Sequence, residues 1–280
     1  MRRSLKSALE MTGIYLVVAA MFVIILYPLL WAFSISLNPG TSMFSLSMFP
    51  DNWSLVHYRT LFNDPKIDYV LWYKNTLIIA TAICVFSVSI VSILAYIFSR
   101  FRFVGRKNTI YLFLLLQMFP VLMGMVAIYL LLNLVNLLDT FTGLILLYVF
   151  GGLPMNVFLV KGYLDTIPRD LDESAKMDGA GYMTIFFRIL LPLARPIIAV
   201  VALFTFMAPF FDFLTPRIIF RDPENFTLAL GLYNLINDKF ANNFTLFAAG
   251  TIMIAIPIAT VFLILQRFLI SGLADGATKG

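Results

Sequence analysis

The chain has one cysteine and one histidine, and only 12% of its 280 residues are charged. The single thiol, Cys84, lies inside an apolar run, which excludes an intrachain disulfide and a thiolate metal cluster. His57 is equally alone and argues against histidine-cluster zinc chemistry. No G-x-x-x-x-G-K phosphate loop followed by Ser or Thr occurs, so nucleotide phosphates are not held in that way, and neither H-E-x-x-H nor G-x-S-x-G is present. Acidic residues are missing from the middles of the apolar runs, where a proton-coupled carrier keeps its relays. Backbone carbonyls can also bind sodium, which leaves an autonomous ion-coupled carrier as the alternative reading. The cluster Asp170, Asp172, Glu173 and Asp178 has no histidine or metal motif beside it. It reads as a solvated or partner-facing helix rather than as a catalytic carboxylate pair.

What is present is apolar. Hydrophobic residues make up 61% of the chain, far above a soluble protein's share, so this is a membrane protein in contact with lipid. The net charge of +5 comes from basic residues placed beside hydrophobic runs. That pattern fits loops at a bilayer surface and not a nucleic-acid patch. Aromatic content is 15%, with 28 phenylalanines and 12 tyrosines. Rings can stack on the C–H faces of a sugar, but phenylalanine is also ordinary lipid-facing filling. Tyr27, Trp31, Trp72 and Tyr73 read as interfacial anchors.

Six spans follow from hydropathy: residues 14–37, 70–98, 109–132, 143–160, 197–213 and 246–269. The first is longer than the apolar region of a cleaved secretory signal, about 7–15 residues, so it is expected to stay as a helix. In the fourth, Gly151, Gly152 and Pro154 are expected to break or kink the helix, either as a packing device or as part of a substrate path. Residues 38–69 and 216–245 are polar connecting loops. Lysine and arginine number 14 on the side holding both termini and the loop 161–196, against 6 on the other, which places that side in the cytoplasm.

The loop is the most informative stretch. Over 166–196 it reads TIPRDLDESAKMDGAGYMTIFFRILLPLARP. A short helix is expected, capped by Thr166 or Asp165, with Pro168 in its first turn, acids at its positive end and Gly179 as its stop. Leu171, Ser174, Ala175 and Asp178 recur at i, i+3, i+4 and i+7, giving one face of a leucine and small residues suited to close docking.

The same loop resembles the signature of permease subunits in ATP-driven importers: E-A-A, three residues, Gly, nine residues, then I-x-L-P. Here it is Glu173-Ser174-Ala175, Gly179 and Ile189-Leu190-Leu191-Pro192, with serine for the first alanine. Leu153-Pro154, Met177-Asp178-Gly179-Ala180, Thr227-Leu228-Ala229-Leu230-Gly231 and the ending from Gly272 resemble the smaller permease of carbohydrate importers of the maltose and maltodextrin type. In Phe210-Phe211-Asp212-Phe213 the chain departs from the Trp-Asn that many relatives carry before the acid.

The resemblance implies an all-α, six-span permease, type I importer-like, forming one transmembrane domain over 1–280 and lodged in a prokaryotic cytoplasmic membrane. It implies a second permease, two ATPase subunits and an extracytoplasmic sugar-binding protein, with ATP and Mg on the ATPases and no cofactor on this chain. Leu171, Glu173, Ser174, Ala175, Asp178 and Gly179 would form the ATPase-coupling helix, and Ile189, Leu191 and Pro192 would return the chain to the membrane. Leu235, Asn237, Asp238, Asn242 and Asn243 would reach the binding protein, and the tail Ala277, Thr278, Lys279 and Gly280 would lie near the ATPases. The substrate implied is a maltodextrin or another oligosaccharide.

Overall fold

The computed structural model describes residues 2–41, 52–237 and 242–277, with side chains for all of these but 2–9, 121–122 and 270–277. Asp238, Thr278, Lys279 and Gly280 lie outside the described residues, as does the side chain of Ala277. Helix is the regular structure throughout, with no strand among the described residues. In chain order the elements are α1 (Arg2–Ser36), α2 (Val56–Asn63), α3 (Tyr69–Arg100), α4 (Arg106–Gln117), α5 (Val121–Leu134) and α6 (Phe141–Thr166). There follow α7 (Asp170–Met177), α8 (Tyr182–Leu193, π-helical over Phe186–Leu190), α9 (Arg195–Phe211), α10 (Leu214–Ile219), α11 (Leu228–Ile236) and α12 (Phe244–Ala277).

Among the described residues four helices are long and apolar enough to cross a membrane: Glu10–Ser36 within α1, α3, α6 and Phe244–Leu269 within α12. The pair α8 and α9, bent by 77°, supplies a fifth if counted as one span. The expected third span does not form one rod. It divides at Met118, Phe119 and Pro120, and Pro120 stands outside α5 with φ −62 and ψ 120. Proline has no N–H to continue the ladder and pushes the preceding residue away from helical dihedrals. Its two pieces, at 12 and 14 residues, reach only about 18 and 21 Å against a hydrocarbon core of about 30 Å.

The opposite holds at Pro154, where the expected break does not occur. Helix α6 runs unbroken from Phe141 to Thr166. It is pinned on both sides of the proline by buried Val149, Val157 and Val160, and Gln117 Nε2 donates to the Gly151 carbonyl at 3.3 Å.

The chain divides into two compact units. One comprises Met1–Tyr69 and Leu232–Ala255. Its described contacts tie α12 to the chain after α1: Phe244 N donates to Thr41 O at 3.2 Å, Thr245 Oγ1 to Gly40 O at 2.5 Å, and Tyr69 OH to Gly250 O at 3.0 Å. Ser36 pairs with Tyr58 at 2.8 Å, and His57 Nε2 lies 2.7 Å from the Asn38 carbonyl.

The other unit comprises Val70–Gly231 and Ile256–Gly280, and buried clusters form among its described residues. One gathers Val91, Ala95, Tyr96 and Phe98 of α3 with Val157, Val160 and Leu164 of α6 and Ile185, Phe186 and Leu190 of α8. The second gathers Ile79 and Ile83 with Leu132, Leu144, Val149, Ile219, Phe220 and Leu230. Trp72 is buried against Gly231, where a Cβ would collide with the indole. It is therefore a packing residue, not the interfacial anchor expected. Thr76 Oγ1 accepts from Leu228 N at 2.7 Å and so caps the start of α11 from α3.

Candidate functional site

Helix α7 begins three residues later than expected. Thr166 and Asp165 belong to the end of α6, where Thr166 Oγ1 donates to Tyr163 O and Asp165 accepts from Ser99 and pairs with Lys161 at 2.5 Å. Neither caps α7, whose N-cap position is Arg169, with Asp172 N and Glu173 N both donating to its carbonyl. Asp170, Asp172 and Glu173 fill the first turn, where the helix dipole favours negative charge.

The stop is as expected. Gly179 takes φ +82, its N–H donates to Lys176 O at 2.9 Å, and Ala180 N donates to Ala175 O at 2.9 Å. These two bonds form a Schellman motif, which needs the left-handed residue that glycine adopts without strain.

One face of α7 looks outward. Leu171, Glu173, Ser174, Asp178 and Gly179 are exposed, and Glu173 has no ion-pair partner among the described residues. Ala175 is half-buried and packs against the inner cluster around Phe186, so its smallness serves the seating of α7 on its own bundle. Met177 of α7 and Met183 of α8 are 88% and 73% exposed. In the sequence Met177 entered only as part of a motif, and Met183 was not singled out.

The inward face carries the larger surprise. Asp172 is buried, and its Oδ2 lies 2.5 Å from Arg100 Nε in an ion pair out of hydrogen-bond alignment. The rest of the Arg100 guanidinium donates to the carbonyls of Leu164 and Ile167, each at 3.0 Å, and so closes the last turn of α6. Arg169 Nη2 donates to Ser99 O at 3.0 Å, and Arg106 Nε donates to Phe98 O at 2.7 Å, closing the last turn of α3. Three arginines that sequence counting treats as topology signals are thus caps that bind α3, α6 and α7 into one corner.

An aromatic cluster supports that corner. Tyr96 stacks near Phe186 and Phe101 at 5.1 and 5.5 Å, Phe101 lies 5.1 Å from Tyr182, and Lys176 sits over the Tyr182 ring. Between these groups is a cleft of about 210 Å³ that includes Arg100, Arg102, Asp172 and Glu173. Farther on, Leu190 is fully buried, while Ile189, Leu191 and Pro192 are half-buried, and the chain turns by 77° into α9. Pro192 cannot donate to a preceding carbonyl, which accords with the π-helical turn just before it.

The other expected residues lie apart from this corner in the chain. Asn237 and Asn242 are exposed and Leu235 is half-buried. Asn243 is the N-cap of α12: its Oδ1 accepts from Leu246 N and Thr245 Oγ1, each at 2.9 Å.

Apolar helices of spanning length define a multi-pass membrane protein. Residues 89–275 match the family described as binding-protein-dependent transport system inner membrane component. The chain is 47% identical over 95% of its length to the galactooligosaccharides transport system permease protein GanQ of Bacillus subtilis (strain 168), covering 94% of that protein. It is 43% identical to the maltodextrin transport system permease protein MdxG of the same organism, over 95% of each chain. Among solved structures it matches a chain of a bacterial ABC transporter involved in the import of the acidic polysaccharide alginate, with TM-score 0.79 and 23% identity, covering 92% of this chain and 96% of that one. The protein belongs to the binding-protein-dependent permease family of ABC importers. It is a transport permease and not an enzyme, and ATP hydrolysis resides in separate subunits.

Proposed function

We propose that this chain is the smaller permease of an importer for neutral oligosaccharides of the maltodextrin or galactooligosaccharide kind. The names of its relatives support that substrate class. It works with a second permease, two ATPases carrying ATP and Mg, and an extracytoplasmic binding protein. It forms one domain in a prokaryotic cytoplasmic membrane, with both termini inside and six crossings, of which α4 with α5 makes the third and α8 with α9 the fifth.

The observation that carries the mechanism is the two-sided character of α7. Its outer face is free, while its inner face is locked to α3 and α6 through Arg100 and Asp172. An ATPase cleft seated on Leu171, Glu173, Ser174 and Asp178 would therefore move two spans with the loop. Residues 189–192 carry the same displacement into α9 as a rigid turn. Leu235, Asn237, Asp238, Asn242 and Asn243 would be the residues that meet the binding protein, and the tail 277–280 the segment that meets the ATPases.

The test is uptake of labelled oligosaccharides by liposomes holding the full complex, offered as maltodextrin and galactooligosaccharide series of increasing length. ATP-dependent accumulation of one series is expected, and only with the binding protein added. Accumulation by this chain alone would instead establish the autonomous carrier.

A further inference from the structure

We propose that the pocket between α6 and α9, about 340 Å³ in volume, is a saccharide subsite on this chain, with Asn156 as its hydrogen-bonding group and Phe204 as its stacking face. The inference rests on the importer reading above.

Asn156 lies in the middle of α6, an apolar helix of spanning length. It makes no hydrogen bond with any described residue. A polar side chain placed at such a depth without a protein partner ordinarily faces a water-filled or ligand-filled space. The pocket that it lines provides that space. Gly151 and Gly152 form part of the same wall, so backbone stands where side chains would otherwise fill the cavity. A Cβ at Gly152 would lie 3.3 Å from Asn156 Nδ2 and crowd the amide.

The facing wall comes from α9. Phe204 is 64% exposed and lines the pocket, while Thr205 Oγ1 donates to Val201 O at 2.7 Å and is also engaged with Cys84. At one end Tyr148 donates to Asp212 Oδ2 at 2.8 Å, and Thr215 is a second hydrogen-bond partner of its phenolic oxygen, so this group closes the pocket end rather than awaiting a ligand. Asp212 Oδ1 is already held by the N–H groups of Leu214 and Thr215, at 2.9 and 3.1 Å. That carboxylate therefore positions Tyr148 and caps α10.

These groups define the ligand's chemistry. The pocket holds an unpartnered amide that both donates and accepts, beside an aromatic side chain, a pairing that matches a hydroxyl and the C–H face of a sugar ring. No lysine, arginine or histidine lines it, so it suits a neutral saccharide and not a uronate. The volume lies within the range of small-molecule sites, about 300–1,000 Å³. An acyl chain would fill the apolar part but leave the Asn156 amide unpaired.

The experiment uses the full reconstituted complex with its binding protein and compares wild type, Asn156→Leu and Asn156→Ser in saccharide uptake and in stimulated ATP hydrolysis. Uptake in Asn156→Leu is expected to fall roughly tenfold, the effect of one lost hydrogen bond, with stimulated hydrolysis retained and uptake partly restored in Asn156→Ser. Wild-type uptake in Asn156→Leu would show a lipid-filled dent and overturn the proposal. Parallel loss of uptake and hydrolysis in both variants would show a structural role and overturn it equally. Failure of the wild-type complex to take up any saccharide would overturn the importer reading itself.

Discussion

Replacing Arg100 by methionine should release α7 from the bundle. The substitution removes the cation from beside Asp172, whose side chain is 9% exposed, and takes the donors from the Leu164 and Ile167 carbonyls. Breaking a buried ion pair from one side costs about 3–5 kcal/mol, and each buried acceptor left unpaired adds about 1–3 kcal/mol where water cannot reach it. At the loop surface water can replace part of this, so a local opening of about 3 kcal/mol is the working figure. That corresponds to roughly a hundredfold loss of amide protection. Hydrogen exchange at residues 172–180 reads it directly, with α3 and α6 interior amides as the internal control. The double variant Arg100→Met, Asp172→Leu should recover much of the protection, because no charge is then left buried alone. Unchanged exchange in α7 of the Arg100→Met protein would refute the claim that this pair seats the helix.

Four further outcomes follow from the fold. Gly179→Ala should weaken the end of α7 by about 1 kcal/mol, since φ +82 is left-handed. Gly179→Pro should abolish the turn and ATP-coupled uptake while membrane insertion, read by fractionation, is retained. Gly231→Ala should lower thermal stability by about 1–3 kcal/mol, read as a drop in midpoint, because the added Cβ meets the Trp72 ring. Burial works to raise the Asp139 carboxyl pKa, but hydrogen bonds from Asn225 and from the Arg221 and Asp222 N–H groups, together with the Arg221 charge, hold it below the usual value. The loop contacts at 219–225 should therefore hold above the unfolded carboxylate pKa of 3.8 and loosen as pH falls through the lower folded value. Proteolysis by an acid-active protease should rise with acidity in wild type and not in Asp139→Asn.

Hydropathy gave the positions of most spanning helices to within a few residues, because long apolar runs leave the backbone no alternative to helix in lipid. Residues 70–98 became α3, at Tyr69–Arg100, and Gly179 stopped α7 as its missing side chain allows. The two prolines were read less well. Pro120 divides the third run, whereas Pro154 sits inside an unbroken α6, since buried valines on either side hold that helix together. Helical spacing placed Leu171, Ser174 and Asp178 on an outward face of α7, as they are, but Ala175 of the same set turns toward the bundle. The anchor was not legible: Asp172 and Arg100 are 72 positions apart, and nothing in either segment states that they meet. Asn243 reads as a loop residue in sequence, and only the register of α12 reveals it as a cap.

The most direct measurement is sugar-stimulated ATP hydrolysis in liposomes that hold this chain, its second permease and the ATPase pair, with loaded binding protein added. The variant is Glu173→Lys with Ser174→Trp, both exposed on the outer face of α7 and outside its packing. Loss of stimulation with assembly and membrane insertion intact is the expected result, since the charge and the close contact proposed to seat the ATPase would both be gone. Stimulation equal to wild type would contradict α7 as the link between hydrolysis and transport.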